Sequence, residues 1–151
     1  MTLRVKQIFK PDLKTKQVIP LLITPIKAGF PSPAEDYVDK SLDLNEFLIT
    51  HPSATYFFWV EGTSMVDAHI ISDDLLVVDR LENAVDGDIV IASIDNDFTV
   101  KTFRKTKDKV YLQAENEEFE NIELKQGMEL QIWGVVTALI RPIKNKKRKY
   151  N

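Results

Sequence analysis

From His51 onward the chain is a succession of short aromatic and β-branched runs broken by tight polar turns, and this pattern leaves room for little except a mainly β body. Thr55-Tyr56-Phe57-Phe58-Trp59-Val60 is the first run, followed by Leu75 to Asp79, Asp88 to Ile94 and Phe98 to Arg104. The last two are joined by Asp95-Asn96-Asp97, a hairpin connection between strands. Lys109 to Glu115 reads as another strand. Leu130 to Ile140 is long and uncharged, which predicts a strand buried on both faces. Strands at such short spacing argue for a barrel-like or sandwich body over residues 34–143.

The first 33 residues differ in kind. Pro11, Pro20, Pro25, Pro31 and Pro33 punctuate them, and proline blocks regular helix and central strand. Residues 1–33 therefore read as an extended arm. Within it Leu21-Leu22-Ile23 can dock as an extended segment. Lys27-Ala28-Gly29-Phe30-Pro31 has small residues at its centre, and glycine with nearby prolines keeps it out of helix, as a protease substrate requires. Residues 34–49 have a mildly helical pattern, with Leu44, Phe47 and Leu48 at helical spacing after the capping sequence Asp43-Leu44-Asn45-Glu46. One or two short helices are expected there. Residues 144–151 form a basic tail expected to be disordered. No repeat or linker divides the body, so a length of 151 residues reads as one domain with appendages.

Charge is distributed unevenly. Residues 1–29 sum to +5, residues 30–140 to -14 and residues 141–151 to +6, within a net charge of -3. An acidic body is a poor ligand for duplex DNA, because phosphate neutralisation dominates that affinity, and no direct sequence-specific DNA binding is expected. The absence of cysteine excludes a disulfide framework, a thiolate metal site and a cysteine nucleophile. No apolar run approaches the ~20 residues of a membrane span, and the N-terminus does not lead into a signal-peptide core. A soluble, cytoplasmic protein without membrane association, cofactor or metal is the expectation.

The chemistry centres on Glu61-Gly62-Thr63-Ser64-Met65 and on Lys101, 37 positions after Ser64. Serine is a weak nucleophile until a base takes its proton. The two histidines, His51 and His69, sit in no recognised serine-hydrolase motif, and Gly62-Thr63-Ser64-Met65-Val66 is not the G-x-S-x-G elbow. Lysine can serve if it is neutral. Its free pKa of ~10.4 falls when it is buried among apolar groups. Lys101 lies mid-strand, sharing a face with Thr99 and Phe103, while Val100 and Thr102 face the other way. The same residue would also suit an edge strand, where lysine blunts aggregation. Backbone N–H groups at the turn opened by Gly62, those of Thr63 and Ser64, can form an oxyanion site.

Taken together, Gly62-Thr63-Ser64-Met65, Ser72-Asp73-Asp74-Leu75-Leu76-Val77-Val78-Asp79, Gly87-Asp88-Ile89-Val90 and Phe98-Thr99-Val100-Lys101 resemble the LexA/UmuD family of self-cleaving peptidases. Phe30-Pro31-Ser32-Pro33-Ala34-Glu35-Asp36-Tyr37-Val38, Leu42-Asp43-Leu44-Asn45 and His51-Pro52-Ser53-Ala54-Thr55-Tyr56-Phe57 bring it nearer the UmuD-type members. The resemblance covers roughly residues 18–141. It implies the family's catalytic β body, with Ser64 as nucleophile, Lys101 as general base and Ala28-Gly29 as the bond cut. It also implies a homodimer, cleavage stimulated by the RecA filament on single-stranded DNA, and a shortened form that joins a UmuC-type, Y-family polymerase in translesion synthesis. Three positions depart from the family pattern. Thr63 precedes the nucleophile where relatives commonly have Asp or Met. Ala28 replaces a cysteine at the cut. The family's Ser-Asp-Gly-Asp turn lacks its glycine, reading Ser72-Asp73-Asp74.

The competing class is a non-catalytic binding module that regulates a DNA polymerase. A LexA-like repressor is not expected, because about 30 proline-broken residues leave no room for a helix-turn-helix. A membrane signal peptidase shares the serine–lysine chemistry but requires an anchor.

Overall fold

Residues 4–9, assigned to the arm by their sequence position, are the first strand of the body in this computed structural model, which describes residues 2–16, 18–22 and 38–144. This strand, β1 (Arg4–Phe9), precedes the first proline, so nothing in it blocks a ladder. Two further strands, β2 (Val18–Leu22) and β3 (Val38–Asp43), pair antiparallel as a separate two-stranded ribbon. Pro20 is tolerated in β2 because each strand of a ribbon has a free edge. Among the described residues of the segment 34–49, the helical pattern is realised as α1 (Leu44–Leu48), directly after β3. Its N-cap is Asp43, whose carboxylate accepts the Asn45 N–H at 3.1 Å. One helical turn is marginal by itself, and backbone pairing with β2 claims the residues before it.

The remaining strands are β4 (Thr55–Glu61), β5 (Leu75–Asp79), β6 (Ile89–Ile94), β7 (Asp97–Lys105), β8 (Val110–Gln113), β9 (Ile122–Glu123) and β10 (Leu130–Ile140). The runs read as strands from the sequence are strands, and the mainly β class holds. The chain divides into one unit of Met1–Pro11 with His51–Asn151, and another of Asp12–Thr50. The larger unit carries one sheet in the order β1-β4-β5-β10-β6-β7-β8-β9, and β1 also bridges β7 through Arg4 opposite Thr99. That bridge closes β1, β4, β5, β10, β6 and β7 into a six-stranded ring. The β6–β7 hairpin turns on Asp95 and Asn96 at φ 48° and 72°, the left-handed geometry that matches strand twist.

The ring encloses Leu3, Phe58, Val60, Met65, Ile70, Leu76, Val78, Ile91 and Val100. A second cluster joins Val90, Ala92, Phe103, Leu112 and Val135. The expectation that β10 is buried on both faces does not hold. Gly134 and Val135 are buried, whereas Gln131, Thr137 and Leu139 are exposed. Flanked by β5 and β6, the strand has both hydrogen-bonding edges satisfied, yet one of its faces still meets solvent. Among the described residues no helix is long and apolar enough to cross a membrane.

Candidate active site

β4 ends at Glu61, and Gly62 turns the chain at φ 125°, a conformation that favours glycine. Here the glycine also has a steric reason. A Cβ at Gly62 would lie 2.2 Å from the Thr2 carbonyl oxygen. Two residues on, Ser64 is fully buried. Its Oγ lies 3.2 Å from Lys101 Nζ and accepts the Leu3 N–H at 2.8 Å.

Lys101 lies at the middle of β7, opposite Val90 on β6 and one residue from the Thr102–Gln113 pair with β8. It is therefore interior to the sheet and 2% exposed, so the edge-strand alternative falls. Its Nζ donates to Thr99 Oγ1 at 3.1 Å and to the Val100 carbonyl at 3.2 Å. Burial lowers its pKa from 10.5 to about 8, because an ammonium loses hydration inside the ring. When the amine is neutral, its two N–H groups are sufficient for Thr99 and Val100. The lone pair then faces the Ser64 hydroxyl, the arrangement a general base needs.

The turn is held from outside. The Thr63 carbonyl accepts Asn116 Nδ2 at 2.9 Å and the Val66 N–H at 3.3 Å. In a trans peptide the N–H opposes the carbonyl, so these bonds direct the Ser64 N–H the opposite way. The Asp67 N–H donates to the Glu115 carbonyl at 2.8 Å, tying the turn to the residues after β8. Asp73 takes φ 76°, and aspartate is one of the few residues that tolerates the left-handed region. Asp74 is buried and receives Arg141 in two bonds, Nε to Oδ1 at 2.6 Å and Nη2 to Oδ2 at 2.7 Å. The Arg141 pKa is raised by that hydrogen bond.

The histidines serve elsewhere. His51 Nδ1 is 2.6 Å from Asp79 Oδ2 at the entry to β4, and His69 takes a left-handed backbone after the serine turn. His51, Asp79 and Glu82 place ligand atoms within 4.8 Å of one another, but the His51–Asp79 hydrogen bond already uses the buried carboxylate. Ala28 and Gly29 lie outside the described residues, as do residues 23–37 and the tail from residue 145. Sequence reasoning named Ser64, Lys101 and Thr63. It missed Leu3 and Asn116, which reach the turn from 61 and 53 positions away and leave no local pattern.

Residues 20–137 match the family described as Peptidase S24-like. The chain is 45% identical over 120 residues to Protein MucA of Escherichia coli, covering 79% of this chain and 82% of the relative. It is also 45% identical over 121 residues to Protein SamA of Salmonella typhimurium, covering 80% and 84%. Against the LexA repressor of Hahella chejuensis it is 40% identical over 126 residues, covering 83% of this chain and 62% of the repressor. A ring that buries a serine against a lysine, with matches of this extent, leads to one conclusion: the chain belongs to the Peptidase S24-like family of self-cleaving serine peptidases, as a UmuD-like member.

Proposed function

We propose that this protein is a UmuD-type autoprotease of the SOS response that cuts its own Ala28–Gly29 bond with Ser64 and Lys101. The observation that carries the reading is the 3.2 Å approach of Ser64 Oγ to a lysine amine whose pKa is lowered to about 8. Neutral Lys101 takes the proton as Ser64 Oγ attacks the Ala28 carbonyl carbon. The Thr63 and Ser64 amides receive the negative charge on the carbonyl oxygen. Lys101 returns its proton to the departing Gly29 nitrogen. Water, deprotonated by the same amine, then hydrolyses the acyl-enzyme. The substrate is tethered, so effective concentration supplies much of the rate and no broad pocket is required.

Likeness to the UmuD-like relatives supports a wider reading of this proposal. A RecA filament on single-stranded DNA stimulates the cut, in the cytoplasm. The protein is a homodimer, and residues 29–151 then partner a UmuC-type translesion polymerase. Residues 1–33 act as the regulatory arm, and removing the first 28 residues takes the net charge from -3 to -8.

Incubation of the pure protein at pH ~10, with intact mass as the readout, tests the chemistry, since lysine is then largely neutral. Fragments of residues 1–28 and 29–151, absent from Ser64→Ala and Lys101→Ala, are expected. No cleavage, even with RecA filaments added, would leave the non-catalytic binding module.

A further inference from the structure

Ser64 follows β4 and Lys101 lies on β7, yet these two strands do not pair with each other. β1 lies between them, laddered to β4 along its length and to β7 at the single Arg4–Thr99 bridge. The nucleophile and the base thus face each other across the seam of the ring, and the chain's own N-terminus fills that seam. The Leu3 N–H donates to Ser64 Oγ at 2.8 Å, while the Leu3 carbonyl accepts Thr99 Oγ1 at 3.4 Å. Leu3 is fully buried, and Gly62 admits the backbone at Thr2 and Leu3 only because it has no side chain.

Attack on a peptide bond requires its carbonyl carbon about 3–3.5 Å from Oγ. Backbone of Leu3 already occupies that shell, and Ser64 and Lys101 are 0% and 2% exposed. No second peptide can reach Oγ while Leu3 remains. We infer that residues 2–9 are a displaceable plug that holds the catalytic pair closed, and that this strand leaves the seam before the segment bearing Ala28–Gly29 can enter. The inference rests on Ser64 and Lys101 as the catalytic pair. The plug is built to leave. Arg4, Lys6, Gln7 and Ile8 are exposed, one bridge holds the β7 side, and ion pairs of Arg4 and Lys6 to Glu61 at 2.6 and 3.8 Å are open to solvent screening. The seam it vacates is a strand-accepting groove, matching the extended peptide that an S24-type cut requires.

The chain has no cysteine, which permits a reversible lock. Arg4 and Glu61 are register partners on β1 and β4, at a spacing a disulfide can span. In Arg4→Cys/Glu61→Cys the oxidised protein should not cleave at pH ~10, and dithiothreitol should restore cleavage. Oxidised protein cleaving as fast as reduced would overturn the inference. A second readout does not depend on catalysis. In the Ser64→Ala background, deleting residues 2–9 should speed acylation of the Lys101 amine by acetic anhydride by about tenfold or more, read by peptide mass. Unchanged acylation would likewise overturn it. Cleavage failing in wild type and reduced variant alike would sink the catalytic reading, and Lys101 acylation would still decide the plug.

Discussion

The Ser72 hydroxyl accepts the Gly62 N–H at 2.8 Å and donates to the Gly62 carbonyl at 3.3 Å. A side chain ten residues downstream thus holds both polar groups of the glycine on which the Ser64 turn pivots. Ser72→Ala leaves both groups without that partner, and a loss of ~1–2 kcal/mol in chemical denaturation is expected. Cleavage should slow as well, because Ser64 Oγ is no longer held at a fixed distance from Lys101. A variant that cleaves at the wild-type rate would show that Gly62 holds the turn unaided.

The pH dependence follows from Lys101. With its pKa near 8, the cleavage rate should rise tenfold per pH unit below about 8 and level off above it. A midpoint at 10.5, the ordinary lysine value, would mean that burial does not tune this amine. Stability should follow the same group. Between about 8 and 10.5 the unfolded chain holds a proton that the folded chain has released, so folding becomes more favourable as pH rises through that window. Lys101→Met should lack that rise, which denaturation at pH 7 and at pH ~10.5 would reveal.

Asn116 should act as a positioning residue. Its Nδ2 holds the Thr63 carbonyl at 2.9 Å and thereby directs the Ser64 amide. Asn116→Ala should lower the cleavage rate by about tenfold, with the midpoint of the pH–rate profile unmoved. A shifted midpoint would place its influence on Lys101 instead.

Gly62→Ala places a methyl group against the Thr2 carbonyl and onto a backbone at φ 125°. It should destabilise the fold by ~1–3 kcal/mol. Unaltered thermal stability would mean that the Thr2–Leu3 backbone yields readily at this point.

Arg141 closes the loop between β4 and β5 from the far end of β10, bonding Asp74 twice and the His69 carbonyl at 2.6 Å. Arg141→Ala leaves the buried Asp74 carboxylate with only the Ile71 N–H at 3.0 Å among its described partners, so the melting temperature should fall. An unchanged melting temperature would show that the two Arg141 bonds to Asp74 do not hold this loop.

Local chemistry by itself determined much of this protein. The β-branched and aromatic runs became β4 to β8 and β10, because side-chain alternation and turn residues act between near neighbours. The same alternation put Lys101 beside Thr99, and their side chains are in contact at 3.1 Å. Asp43 capped α1 as its pattern predicts. Other features belong to the tertiary structure alone. Only ring closure made β1 part of the body, since residues 4–9 carry no proline but also no strong strand pattern. Only the sheet order buried Lys101 far enough to lower its pKa, and only β10's place in that order left its outer face open. Leu3, Lys101 and Asn116 meet the Ser64 turn across 61, 37 and 53 positions. A periodicity read over a few residues carries no information about such distances; the closure of the ring sets them.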